Sequence, residues 1–405
     1  MGLFDRHAVL LERVKMAEEM GGNPFRVCME SVLSPTEAII NGRKTLLVGT
    51  NNYLGLTFDA SCIAAAVDAL KAEGTGTTGS RIANGSYAEH ELLEREIAEF
   101  FGMKHCMVFT TGYQANLGTI ATLVGPGDYV IIDADSHASI YDAARMSAAT
   151  IIRFRHNDAA DLDKRLARLA NEKGNKLVVV EGIYSMLGDK APLKELFEAT
   201  KRNGGYFAVD EAHSLGVSGT KGRGVVEEAG ILDQVDFVVG TFSKAMGAVG
   251  GYCVSNHPDF DVLRVATRAY MFSASLPPSV IASVRQALRI LGQRPELMAK
   301  LWANVDTLYD GFTDVGFTLG PMKGPVVAVQ LPTSEMAVAI WHALLQAGIY
   351  VNLALPPATP NNVPLLRCSV CAAHSKEQLL HLVDTLAGIG RQFGVIAQPA
   401  RAAAG

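Results

Sequence analysis

Between residues 60 and 285 the chain alternates short apolar runs with helical segments, and that alternation admits few folds. The runs are Cys106–Thr110, Tyr129–Ile132, Ile151–Phe154, Leu177–Val180, Tyr206–Val209 and Phe237–Thr241. They are too short for helices and rich in β-branched side chains, so they read as strands buried on both faces. Strand–helix repetition of this kind implies an α/β chain, with a mainly parallel sheet covered by helices. Open α/β sheets bind ligands beyond the carboxyl ends of their strands, so the residues just after each run are the candidates for chemistry.

With 405 residues the chain exceeds one simple core. Three parts are expected: an N-terminal arm with a hairpin (1–55), a large domain (56–285) and a smaller C-terminal α+β domain (286–405). In the arm, Leu10, Leu11, Val14, Met16 and Met20 lie among charges as on an amphipathic helix, which ends at Gly21-Gly22-Asn23-Pro24. Residues 37–54 alternate around Asn41-Gly42, a hairpin signal. After Pro277-Pro278 a helix is expected over Val280–Leu291, followed by strands at Val326–Gln330, Tyr350–Leu353 and Leu365–Ser369. The alanine-rich tail, Pro399–Gly405, is unpatterned and expected to fray.

Charge excludes one class of function. With 36 basic against 41 acidic side chains the net charge is -5, which gives no support to nucleic-acid binding. The six cysteines are scattered, as in a reducing, cytoplasmic compartment. Cys368-Ser-Val-Cys371 with His374 lacks the second pair of a metal motif and reads as structural. No signal peptide is expected, and no apolar run is long enough to span a bilayer; a peripheral contact with a membrane surface stays open.

Chemistry gathers at the strand ends. Thr241-Phe242-Ser243-Lys244 follows an apolar strand and precedes a glycine-rich bend. A lysine screened from water at such a point loses part of its cost of deprotonation and acts as a nucleophilic amine, the type that joins pyridoxal phosphate. Alone, a strand-end lysine is most often a polar turn residue. Its company changes that. Gly112 opens a helix after another strand, where free backbone N–H groups suit a phosphate, and Tyr113 adds a hydroxyl or lines the ring. His137, after Asp135-Ser136, suits stacking on a flat heteroaromatic ring. Asp210 ends a further strand, where a carboxylate keeps a pyridine nitrogen protonated. His213, one helical turn on, is placed to bond the cofactor's phenolic oxygen or to orient Asp210. Ser185 is a candidate polar contact, and the hydroxyls of Thr241 and Ser243 suit phosphate. Gly74-Thr75-Gly76-Thr77-Thr78-Gly79 matches the dinucleotide fingerprint but follows a helical segment where a strand is required, which rejects a nicotinamide cofactor.

With these residues in view the chain resembles the α-oxoamine synthases, pyridoxal 5'-phosphate enzymes of fold type I. The resemblance runs from Asn51-Asn52-Tyr53-Leu54-Gly55 to Arg367-Cys368-Ser369 and includes Gly74–Arg81, Asp133–Ser139 and Asp210-Glu211-Ala212-His213-Ser214. Phe154-Arg155-His156-Asn157, Ser185–Asp189, Val254–Pro258, Ser273–Pro278 and Pro356–Pro360 are similar to the family's serine-using bacterial branch. The resemblance implies a seven-stranded sheet, an aldimine on Lys244, His137 stacked on the ring, Asp210 at the pyridinium and His213 at the phenolic oxygen. It also implies that Ser273 and Ala274 reach the partner's phosphate in a homodimer with shared active sites. Asn52, His137 and Thr359 are implied at the substrate, with Arg367 on its carboxylate, for which a forked guanidinium is well shaped. One departure stands out: Leu355 occupies the place before Pro-Pro-Ala-Thr-Pro where that branch tends to carry a second arginine.

The implied reaction is decarboxylative Claisen condensation of L-serine with a long-chain acyl thioester of coenzyme A, or of an acyl carrier protein, giving 3-oxosphinganine. Rival expectations are a sibling enzyme using glycine or alanine, simple amino-group transfer, and a non-catalytic regulator that binds the cofactor.

Overall fold

The computed structural model describes residues 2–19 and 22–398; Met1, Met20, Gly21 and the tail Pro399–Gly405 lie outside the described residues. The chain divides into two compact units. One comprises 52–185 and 189–299, the other 1–51, 186–188 and 300–405.

The first unit is built on a seven-stranded sheet. Its strands are β1 (His105–Phe109), β2 (Tyr129–Asp133), β3 (Thr150–Phe154), β4 (Lys176–Glu181), β5 (Tyr206–Asp210), β6 (Phe237–Thr241) and β7 (Gly251–Ser255). The spatial order is β1-β7-β6-β5-β4-β2-β3. β3, β2, β4, β5 and β6 pair in parallel, while β7 lies antiparallel to both β6 and β1. Six strands fall where the apolar runs lie, within a residue at each end. The seventh follows the glycine-rich bend Ala245–Gly251, whose glycines mask a strand that is buried along its whole length. One sheet face packs Met107, Ile132, Val179 and Val239 against Ala115, Ile120, Ile140 and Ala144 of the helices Gly112–Leu123 and Ala138–Met146. Burial of this kind, at about 25 cal/mol per Å², is the main term holding sheet to helices. Helix Ala60–Glu73, capped by Asp59, does precede the Gly74–Gly79 glycines, and helix Pro278–Gln293 starts with proline at its first position.

The second unit carries the helix Ala8–Glu19 and two small sheets. Strands Glu37–Ile40 and Arg43–Leu47 form the expected hairpin, with Ile40 opposite Arg43. Asn41 and Gly42 adopt φ of 52° and 69°, the left-handed pair that a two-residue turn of this hand requires. The hairpin ends at Leu47, short of the expected residue 54. The expected strand Tyr350–Leu353 divides in two: Ile349–Tyr350 joins the hairpin sheet, and Asn352–Ala354 pairs with Leu365–Ser369. Cys368, Cys371 and His374 are buried. His374 Nδ1 accepts from the Cys371 N–H (3.0 Å) and Nε2 donates to the Leu47 carbonyl (2.9 Å), while burial pushes its pKa down to about 4.

Among the described residues no helix is long and apolar enough to cross a membrane.

Candidate active site

Strand ends of the parallel sheet enclose a cavity of about 270 Å³. Gly112, Tyr113, His137, Asp210, His213, Thr241, Ser243 and Lys244 all line it. Asp210 and Thr241 are the last residues of β5 and β6, and the others lie just past the ends of β1, β2, β5 and β6.

The turn bearing Lys244 is pinned from below. Phe242 is fully buried, stacks on Tyr252 with ring centroids 5.7 Å apart, and exchanges backbone bonds with Gly250 and Ala248. Burying such a ring is worth roughly 2 kcal/mol, so the residues either side of it are held outward. Thr241 Oγ1 donates to the Gly250 carbonyl (2.8 Å) and accepts from the Ser243 N–H (3.2 Å). Lys244 is half-buried at the cavity wall.

Opposite this turn, Thr111 caps the helix Gly112–Leu123 by accepting from the Gln114 N–H. The N–H groups of Gly112 and Tyr113 fall in the first turn, where no helical carbonyl reaches them. A Cβ on Gly112 would lie 2.7 Å from Thr241 Cβ and 2.9 Å from its hydroxyl. The glycine therefore brings two strand ends together and leaves a concave surface of N–H and O–H groups. That surface fits a phosphate.

Asp210 is 5% exposed. Its Oδ1 accepts from the Ala212 N–H (2.8 Å) and its Oδ2 from the Asn116 amide (2.6 Å). Asn116 also donates to Ser139 Oγ (3.0 Å), and Ser139 bonds His137 Nδ1 (2.7 Å). The Ser139 N–H points at the same Nδ1, which makes that nitrogen the acceptor. A chain of hydrogen bonds thus runs from the ring of His137 to the carboxylate of Asp210. The His137 ring is open to the cavity but walled by protein, and that desolvation holds its pKa below the ordinary value, against the pull of Asp210. His137's backbone N–H donates to Glu181 Oε1 at 2.6 Å. Burial, with Asp210 alongside, pushes the Glu181 carboxyl well above the usual range. His213 follows Asp210 in a run of turns rather than a helix, and its Nδ1 lies 2.6 Å from the buried Tyr53 hydroxyl.

A carboxylate held rigid by two donors, a ring over the cavity, an amine and a phosphate cradle fit a phosphorylated pyridine aldehyde. The comparisons with known proteins point the same way. The model of the family described as aminotransferase class I and II matches residues 43–386. Over 404 residues the chain is 58% identical to serine palmitoyltransferase of Caulobacter vibrioides, with 100% of each chain covered. The chain belongs to the class I and II aminotransferase family, as an α-oxoamine synthase.

Solved structures place this α-oxoamine synthase in fold type I. Serine palmitoyltransferase of Sphingomonas wittichii matches with a TM-score of 0.95 at 52% identity, covering 98% of this chain and 100% of that one. A second structure, of serine palmitoyltransferase with PLP internal aldimine, gives 0.95 at 49% identity over 98% of this chain and 100% of that one.

The other residues singled out from the sequence lie elsewhere. Ser185, in the turn beyond β4, is not among the residues that line the cavity. Neither are Ser273, which accepts from the Gln114 amide (3.1 Å), and Ala274, bridged to Ser80. Asn52 is buried and donates to Thr57 Oγ1 (2.7 Å). Arg367 and Thr359 belong to the second unit and are buried there; the Arg367 guanidinium donates to Asn51 Oδ1 (3.2 Å).

Asn116, Ser139 and Glu181 drew no role from the sequence although each lies within or beside a segment that did. The helical spacing of Asn116, four residues after Gly112, is the one signal that places it on the cavity side.

Proposed function

We propose that this α-oxoamine synthase binds pyridoxal phosphate in the cavity and condenses L-serine with palmitoyl-coenzyme A to 3-oxosphinganine, the first step of sphingolipid biosynthesis. The observation that carries the reading is that Lys244, Asp210 and His137 line one cavity with the phosphate cradle of Gly112. The full-length identity to a serine palmitoyltransferase supports the choice of substrates.

Bound there, the cofactor supplies a protonated ring that takes up the electron pair left when an amino acid loses its Cα proton. The chain's residues do the rest. The Gly112 and Tyr113 N–H groups, with the Thr241 and Ser243 hydroxyls, hold phosphate. Asp210, oriented by Asn116 and Ala212, holds a proton on the ring nitrogen. His137 covers one ring face and His213 bonds the phenolic oxygen. The Lys244 amine takes the serine Cα proton and later returns one. A bond forms between serine Cα and the acyl carbon, the C–S bond breaks as coenzyme A leaves, and the serine carboxylate departs as carbon dioxide.

Arg367 is proposed for the serine carboxylate, with Asn52 and Thr359 at the substrate and Ser185 at the cofactor. We place Ser273 and Ala274 at the partner subunit's phosphate in a homodimer. The six cysteines, all free and five of them buried, support the reading of a reducing compartment, the cytoplasm.

The cradle yields a direct prediction. In Gly112→Ala the added Cβ presses on Thr241. Apparent affinity for pyridoxal phosphate is expected to fall on the order of tenfold, about 1.4 kcal/mol, in a fluorescence titration. Unchanged affinity would place the phosphate elsewhere.

Coenzyme A release from palmitoyl-coenzyme A, with serine, glycine and alanine supplied separately, tests the reaction. Release with serine, plus a product of 3-oxosphinganine mass, is expected despite Leu355. Release with glycine or alanine alone would move the enzyme to a sibling reaction, and no release would overturn the proposal.

A further inference from the structure

At the ends of β2, β3 and β4 the first unit holds a buried ionic cluster that the mechanism leaves unused. His156 lies two residues past β3. Its Nδ1 is 2.8 Å from Asp133 Oδ1, at the end of β2, and its Nε2 is 2.7 Å from Asp189 Oδ2, in the loop beyond β4. Asp133 is 0% and Asp189 5% exposed. A neutral imidazole has one N–H, so only the imidazolium serves both carboxylates. Burial opposes that charge, but hydrogen bonds to Asp133 and Asp189 prevail and raise the pKa to about 10. Asp135, 3.8 Å from Nδ1, adds to the same field.

Asn157, in the left-handed region at φ 54°, completes the cluster. Its N–H donates to Asp133 Oδ2 (2.9 Å), and its amide to Asp189 Oδ2 (2.8 Å) and the Lys190 carbonyl (3.2 Å). The His156 ring meets Tyr184 edge-on, with centroids 4.5 Å apart.

What the cluster joins gives it a purpose. Asp133 begins the five-residue segment that ends at His137, and accepts from the Asp135 N–H within it (2.8 Å). Glu181, at the end of β4, accepts the His137 N–H at the other end of that segment. The segment is therefore gripped at one end by His156 and Asn157 just past β3, themselves tied to Asp189 in the loop beyond β4, and at the other end by Glu181 of β4. We propose that His156 is a positioning residue: locked between Asp133 and Asp189, it fixes residues 133–137 and so sets the plane of the His137 ring over the cavity. This rests on the reading of His137 as the ring that covers the cofactor. Removing one partner from a buried ion cluster leaves the other charges uncompensated, so the segment should loosen.

The test has two arms. In cofactor-free protein, H156Q is expected to speed amide hydrogen exchange at residues 134–137 by at least about tenfold while β7 is unchanged. Unchanged exchange, or acceleration spread equally to β7, would overturn the clamp. Should H156Q fail to fold, D189N, which keeps the Asp133–His156 pair, gives the same measurement. In the loaded enzyme, a double-mutant cycle with H137A reads exchange of the serine Cα proton. H156Q should cost about tenfold alone and under about twofold in the H137A background. Equal costs in both backgrounds would overturn the link to His137. A wild-type enzyme that exchanges no serine proton would sink the proposed function instead, and the amide exchange would still decide the clamp.

Discussion

Replacing Lys244 by alanine is expected to leave a folded protein that releases no coenzyme A. The side chain lines the cavity rather than the core, and the turn that carries it is anchored by Phe242 and by the bonds of Thr241 to Gly250 and Ser243. Thermal stability should therefore stay within a few degrees of wild type. Catalysis should not survive. Loss of a general base alone costs roughly 10²–10⁴-fold, and loss of a nucleophile adds to it. Serine Cα-proton exchange with deuterated solvent, followed by mass spectrometry, should drop by at least about 10³-fold. Exchange at the wild-type rate would mean that another group takes the proton, and the proposal would lose its centre.

Asp210→Asn separates binding from proton loss. The substitution conserves shape, but it removes the negative charge and sets an amide where the Asn116 amide donates at 2.6 Å. Only one oxygen then remains to serve two donors, the Asn116 amide and the Ala212 N–H. Cofactor affinity should fall modestly, because the proposed phosphate cradle of Gly112 and Thr241 does not involve this carboxylate. In the proposed role, however, loss of the carboxylate takes the counter-charge from a proton on the ring nitrogen. Serine Cα-proton exchange is expected to slow by about 10²–10³-fold, a size typical of a lost preorganised electrostatic partner. A variant that binds the cofactor and exchanges the proton normally would remove Asp210 from the chemistry.

The two variants share a readout but fail differently. Lys244→Ala should abolish exchange whatever the pH, whereas Asp210→Asn should retain a slow rate. A common loss of cofactor in both would point to the architecture of the cavity rather than to either group.

Much of the first unit is legible from local pattern. A run such as Phe237-Val238-Val239-Gly240-Thr241 reads as a buried strand from the segment alone, because run length, β-branching and flanking glycines are local properties. The turns after such runs carry the polar residues that the cavity gathers, so Lys244, Asp210, His137 and Gly112 are visible as candidates in the sequence alone. β7 is not. The glycines of Ala245–Gly251 read as a bend, and the strand's place between β1 and β6 depends on its partners rather than on its own composition. Gly251 pairs with Thr241 on one side and with the distant Phe109 on the other.

The side-chain wiring is hidden for a related reason. Asn116 meets Asp210 across 94 residues, Tyr53 meets His213 across 160, and Arg367 meets Asn51 across 316. His156 stands in a segment of the sequence resemblance with no role, and only its two carboxylate partners give it one. Strand, turn and candidate chemistry follow from residues close in sequence, where period and propensity act. Which strand lies beside which, and which polar atoms face each other once water is excluded, depends on long-range packing, so only the folded chain could decide it.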